Sequence, residues 1–301
     1  MISSRRLRQR AAIIRAVRGF FEERDYLEID TPLRLPALAP EAWIEPELSG
    51  EHFLQTSPEL CMKRLLAAGH SRLFQICHCF RKGERGRFHL PEFTMLEWYR
   101  TGSDYLDLMD ECEELLRTVI LDCGSRPLFS GLAERFPLEL ACERLTVAEA
   151  FARYAECSVA EALAADRYEE VLVAQVEPNL GVGGRPTFLH DYPAPLAALA
   201  RLKPEEPAVA ERFELYLGNV ELANGFSELV DPVEQRQRFA RDRAAICAGG
   251  RDPGPMPEKF LAVLGRIPAA AGIALGLDRL VMVLTGAASI DEAVAFAPEE
   301  L

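Results

Sequence analysis

The chain has 301 residues, 49% of them hydrophobic and 27% charged, enough to bury a sizeable core in one large domain or two ordinary ones. Its 34 basic and 47 acidic side chains leave a formal charge of −13, which repels nucleic acid and excludes a broad phosphate-neutralising face. Eight cysteines without paired CxxC spacing, an N-terminal apolar stretch interrupted by Arg15 and Arg18, and the lack of any run of transmembrane length predict a soluble protein of the reduced cytoplasm, with no membrane partner.

Leu7, Ala11, Ile14, Val17 and Phe21 recur at helical spacing and predict an amphipathic helix, with Arg5, Arg6, Arg8 and Arg10 as its solvated start. Tyr26 to Asp30 alternates, and Thr31-Pro32 ends any helical continuation, so an extended segment follows. Glu59 to Ala68 reads as a short helix, Leu73 to Phe80 as a strand, Arg81 to Pro91 as a charged loop and Glu92 to Tyr99 as a second, antiparallel strand. Cys77-His78-Cys79 lies on the first strand, where neighbours point to opposite faces, and reads as buried thiols rather than a zinc site. Residues 104–122 and 146–165 have helical periodicity, with Gly131 and Pro137 in a loop between them. Arg212 to Leu217 and Val220 to Asn224 are strand-like around Gly218-Asn219, a two-residue hairpin signal. A helix over 232–248, a Pro/Gly-rich loop through Pro257, a further helix, and a strand from Gly272 feeding a helix at Asp278 complete the pattern. The prediction is α+β, a mainly antiparallel sheet flanked by helices.

Three segments carry chemistry. The loop over residues 80–93 concentrates Arg81, Lys82, Arg85, Arg87 and His89 between two apolar strands, which suits a bound polyphosphate and equally suits a solvated charged loop. In the hairpin, Leu217 faces Val220, Tyr216 faces Glu221, Leu215 faces Leu222 and Glu214 faces Ala223, so Glu214, Tyr216 and Glu221 share one face. Two diagonal carboxylates repel unless a cation lies between them; the face is either a Mg²⁺ site bridging ATP phosphates or a solvated polar surface. Gly272 to Arg279 permits close backbone approach before an arginine, for packing or for a nucleotide. Together the three supply complementary partners for one bound ATP.

At these residues the sequence resembles the class II aminoacyl-tRNA synthetases, with all three motifs in order over a single domain spanning 1–301. Motif one (about 20–33) resembles FFEERDYLEIDTP, motif two (about 80–99) FRKGERGRFHLPEFTMLEWY, and motif three (about 272–280) GIALGLDRL. TSPE at 56–59, EFTMLEWY at 92–99 and ELANGFSEL at 221–229 are similar to the lysyl enzymes. The resemblance implies that Arg81 meets the α-phosphate and substrate carboxylate and Arg279 the γ-phosphate. Phe93 and Arg279 would sandwich adenine, with Lys82, Gly83, Glu84, His89, Leu90, Leu222 and Gly276 along the nucleotide, and Glu214 and Glu221 would hold magnesium. Glu59, with Ser57 and Pro58 beside it, would take the substrate amino group. Tyr99 and Glu228, assisted by Glu97 and Asn224, would hold the distal ammonium.

Departures narrow the resemblance. Motif one begins almost at the N-terminus, so the expectation is that the anticodon-binding domain of lysyl-tRNA synthetases is missing and that tRNA is not a partner. Ala274 stands where those synthetases usually carry glycine, adding a methyl at the pocket floor. Both features resemble the family of ligases that activate (R)-β-lysine with ATP and transfer it to a lysine of elongation factor P, through a homodimer joined at motif one. Gly83 replaces a motif-two glutamate and Leu90 an asparagine. A free-standing ligase for ordinary α-lysine and a non-catalytic regulatory paralogue are the competing readings.

Overall fold

The computed structural model describes residues 2–137 and 141–301. Helix α1 (Ser4–Glu22) starts at Ser3, whose hydroxyl accepts the Arg6 N–H at 3.3 Å. Its buried stripe is Ile13, Val17, Phe20 and Phe21 with Gln9, so the face is rotated from the expected one and Leu7 and Ala11 are exposed. The rotation has a polar cause: Gln9 Nε2 donates to the Leu128 carbonyl at 3.0 Å. Arg10 is not solvated as expected. Its guanidinium reaches Asp278 Oδ1 at 2.5 Å and Thr94 Oγ1 at 2.8 Å, bracing the first helix against the start of the last one.

The main sheet has eight strands in the order β1-β5-β6-β11-β10-β9-β8-β7. These are β1 (Leu27–Glu28), β5 (Arg72–Phe80), β6 (Glu92–Thr101), β7 (Glu143–Thr146), β8 (Thr187–Pro193), β9 (Val209–Leu217), β10 (Val220–Ser227) and β11 (Ala270–Gly276). A small sheet of β2 (Arg34–Leu35), β3 (Leu48–Ser49) and β4 (His52–Leu54) lies apart from it. The pairs at the two ends, β1 with β5 and β7 with β8, are parallel, and the rest are antiparallel. Strands β7 and β8 were not predicted. The last strand, β11, inserts between β6 and β10, which brings the motif-two strand, the motif-three strand and the hairpin side by side.

Helices α1, α3 (Tyr105–Gly124) and α10 (Leu277–Thr285) enclose the larger core with Phe74, Leu96 and Trp98, and the Phe21 and Phe74 rings stack with centroids 4.7 Å apart. Helices α2 (Glu59–Ala67), α8 (Pro232–Ala248) and α9 (Glu258–Leu264) build a second core around Leu66, Leu73, Tyr99, Phe239 and Phe260. The predicted helix 146–165 is instead two, α5 (Val147–Tyr154) and α6 (Val159–Ala164), because Thr146 and Ser158 each begin a new helix with a capping box. Short α4 (Leu132–Arg135) falls in the expected loop, whose residues 138–140 lie outside the described ones, and α7 (Tyr168–Val171) follows α6. Among the described residues no helix is long and apolar enough to cross a membrane.

The hairpin turn forms as expected: Gly218 (φ 63) and Asn219 (φ 61) are both left-handed, as a type I′ turn requires. Its register differs from the expected one beyond the first two pairs. A bulge between Glu221 and Ala223 shifts the pairing, so Leu215 opposes Ala223 and Glu214 opposes Asn224.

Candidate active site

Strands β6, β11 and β10 floor a cavity of about 320 Å³. Alternation along β6 sends Phe93, Met95, Glu97 and Tyr99 into it while Leu96 and Trp98 enter the core. On β11 the register sets Gly272 opposite Tyr99, Ala274 opposite Glu97 and Gly276 opposite Met95. A Cβ on Gly272 would stand 2.6 Å from Glu228 Oε1, so glycine is required for the two walls to approach. Arg81, Glu221 and Arg279, distant in the chain, line this same cavity with Ser57, Glu59, Glu84, His89, Leu90, Leu222 and Asn224.

At one end stand two guanidinium groups. Arg81 lies 5.1 Å above the Phe93 ring, and its buried Nε has no hydrogen-bond acceptor among the described residues. Arg279 donates to the Glu221 carboxylate at 3.0 Å and to the Phe88 carbonyl at 3.1 Å, and meets His89 Nε2 at 2.7 Å. Burial, followed by the Arg279 charge, holds the His89 imidazole below its ordinary range, so it stays neutral beside the arginine.

Five expected site residues do not line the cavity: Pro58, Lys82, Gly83, Glu214 and Glu228. Lys82 turns outward to Glu45 at 2.5 Å. Gly83 is left-handed (φ 75), which suits glycine and passes the inward position to Glu84. Glu214 is held by Arg212 at 2.6 Å and by the Tyr216 hydroxyl at 2.7 Å, and burial pushes its carboxyl up. Glu221 alone of the acidic pair offers its carboxylate to the cavity, so the site fits a magnesium ion bound chiefly by phosphate oxygens with one protein carboxylate.

Glu228 does not wait for a substrate ammonium. The ammonium of Lys63, a residue not expected at the site and 1% exposed, reaches Glu228 at 2.5 Å and also bonds Glu59. Lys63 further sits 5.1 Å from the Phe226 ring and 5.9 Å from that of Tyr99. Glu97 accepts from Ser57 at 2.8 Å and from the Tyr99 hydroxyl. Two carboxylates therefore share one ammonium, and a third, Glu97, is held by hydroxyls beside them. Burial and the neighbouring Glu59 push Glu97 up to about 8, and burial, opposed by Lys63, leaves Glu228 at about 8. Lys63 itself rises because its two acidic partners outweigh its burial. The sequence signal for Lys63 was its place four residues after Glu59, on a helix face with Leu60, Met62 and Leu66 buried.

A pH dependence follows. Below about 8 the free pocket carries protons on Glu97 and Glu228, and a ligand ammonium pairs only with ionised carboxylates, so binding must expel them. The KM for a lysine-like substrate is expected to fall as pH rises toward that value, by up to about tenfold per unit for each proton expelled. A KM that stays flat over this range would contradict the assignment of these carboxylates to the ammonium site.

The family model described as tRNA synthetases class II (D, K and N) matches residues 2–300. Among curated proteins, the chain is 40% identical over 311 residues to the elongation factor P–(R)-beta-lysine ligase of Pectobacterium atrosepticum, covering 97% of this chain and 95% of the relative. It is 40% identical over 316 residues to the protein of the same name from Vibrio vulnificus (98% and 96% covered) and 39% identical over 307 residues to that of Vibrio cholerae (96% and 94%). The chain belongs to the class II tRNA synthetases of this group and, within them, to the elongation factor P–(R)-β-lysine ligase family.

Proposed function

We infer that the chain joins ATP and a diamino acid into an aminoacyl-adenylate and passes the acyl group to a lysine amine of elongation factor P; its relatives' name, elongation factor P–(R)-beta-lysine ligase, supports the amino acid and the acceptor protein. The observation that carries this is a balance of charge. Three carboxyl groups, Glu59, Glu97 and Glu228, stand against the one ammonium of Lys63 at one end of the cavity, so an incoming cation that displaces the protons of Glu97 and Glu228 finds acidic partners there, opposite the cationic end formed by Arg81 and Arg279. A lysine isomer carries two ammonium groups and one carboxylate and fits that polarity. An uncharged competitor would leave buried carboxylates unpaired.

The substrate carboxylate, drawn toward Arg81, attacks the α-phosphorus in line, and pyrophosphate leaves on the Arg279 side. Positioning and fixed positive charge do the work; no covalent enzyme intermediate forms. Magnesium, which Glu221 would hold together with phosphate oxygens, would neutralise phosphate charge when bound. Arg279 and Phe93, which line the same cavity, would cover the adenine.

The same reading includes a cytoplasmic setting without tRNA and a homodimer through motif one, supported by Leu27 and Leu33 standing 51% and 40% exposed. Ala274 lies directly opposite Glu97, so its methyl shapes the floor on which the backbone of the amino acid rests. Ala274→Gly is expected to relax the preference for β- over α-lysine by about tenfold or more in amino-acid-dependent pyrophosphate exchange. An unchanged ratio would remove Ala274 from specificity. The whole reading is tested by incubating the protein with ATP, (R)-β-lysine and unmodified elongation factor P and weighing the factor. A mass increase of one lysyl residue is expected, and no increase refutes it.

A further inference from the structure

A second cavity, of about 340 Å³, adjoins the first and shares Glu41 and Ile44 with it. Leu38, Phe53 and Ile246 give it an apolar wall, and Glu45, Lys82, Arg251 and Asp252 add two charges of each sign. The loop over residues 36–47 that separates the two spaces is pinned from both sides. Arg251 donates to the Ala42 carbonyl and, at 3.4 Å, to that of Ile44, while the Lys82 N–H donates to the Glu45 carbonyl at 2.7 Å. Trp43 on this loop is 95% exposed, and Leu48, at the mouth, 70%. Glu41 is the carboxylate that faces both cavities, and it makes no hydrogen bond or ion pair among the described residues. Its side chain is partly exposed, so it is open to a group entering from either space.

We propose that the second cavity admits the side chain of the acceptor lysine and that Glu41 is the base that deprotonates its ammonium for attack on the adenylate. The proposal rests on reading the chain as a ligase that acylates a protein amine. A partly apolar passage ending in a carboxylate suits a methylene stem tipped by an ammonium. A lysine with the ordinary pKa of about 10.4 is neutral in only about one molecule in 2,500 at pH 7, so the transfer step needs a base. Burial pushes Glu41 up to about 7, opposed by Arg81 and reinforced by Glu59, Asp242 and Glu84, and a base is most effective near the working pH. Glu41 takes one proton from the ammonium, and the neutral amine attacks the carbonyl carbon of the mixed anhydride. The C–N bond forms and the bond from that carbon to the phosphate oxygen breaks. AMP leaves with the electron pair, and the extra proton on nitrogen passes to the departing phosphate.

The test compares two nucleophiles on the same adenylate. Hydroxylamine is small and already neutral at about pH 7, so it needs neither passage nor base, and hydroxamate formation reports the adenylate alone. In Glu41→Gln the rate of transfer to elongation factor P, divided by the rate of hydroxamate formation, is expected to fall about 10²-fold, with partial recovery in Glu41→Asp. In the parent protein this ratio should rise as pH passes through about 7 and Glu41 loses its proton, and the rise should vanish in Glu41→Gln. Leu38→Trp, which fills the second cavity, should lower the ratio at least about tenfold by misplacing the acceptor. A ratio unchanged in Glu41→Gln overturns the base, and one unchanged in Leu38→Trp overturns the passage. A parent protein that forms no hydroxamate with any lysine isomer would instead refute the adenylate reading beneath both.

Discussion

Replacing Arg81 by alanine is expected to lower amino-acid-dependent pyrophosphate exchange by about 10²- to 10³-fold, the cost of one preorganised donor aimed at developing charge. Arg81 follows β5 directly, its plane lies over Phe93, and its Nε is buried with no acceptor among the described residues. That donor has no partner until an anion arrives, so the ordering cost is met in the fold and not at the moment of reaction. Its one ion pair, with Glu84 at 3.9 Å, is long, so thermal unfolding should barely change in the variant. The loss should fall on kcat more than on KM, since the interaction strengthens as charge builds on the α-phosphate. Arg81→Lys keeps the charge without the planar fork and should recover only part of the rate. Exchange that survives Arg81→Ala undiminished would detach the arginine from the chemistry.

At about pH 9, Lys63→Met should destabilise the free protein by about 3–5 kcal/mol, the cost of leaving buried charge without its partner. Lys63 and Glu228 each have side chains 1% exposed, and the lysine also serves Glu59. The signs with pH follow from the shifts. The raised pKa of Lys63 means that its contribution is fully present below the unfolded value of about 10.4 and is lost only as pH climbs through the folded one. Glu97 and Glu228, at about 8, hold more protons folded than unfolded between their ordinary range and that value, so they subtract stability as pH rises through this window. In Lys63→Met the carboxylates can relieve their repulsion by protonation at about pH 6 but not at about pH 9. Urea unfolding should therefore show a larger deficit against the parent at the higher pH. Equal stability there would mean that the buried triad is not coupled as its distances indicate.

Much of the site was legible because its signals are local. Gly218-Asn219 announced a turn that only left-handed residues make, and Glu92 to Tyr99 read as a strand antiparallel to the one before it, as β5 and β6 are. The errors have a common origin. The bulge at Leu222 lies in the pairing of β10 with β9, and alternation along a single strand carries no sign of it. Arg10 reads as one of four solvated arginines until α10 brings Asp278 to it from the far end of the chain. Lys82 sits in the middle of the basic loop yet points to Glu45, because the loop 36–47 lies on that side.

From its own pattern the chain determined most of the elements, the hairpin turn and the residue types that gather in the cavity, since these depend on period, turn geometry and chemistry within a few residues. The charge state of the pocket was decided only in three dimensions. Glu59 and Lys63 come from α2, Glu97 from β6 and Glu228 from the residue after β10, and their electrostatics matter because packing removes the water that would otherwise screen them. Whether a lysine is a solvated surface cation or the counter-ion of a buried pair depends on what the rest of the chain places around it.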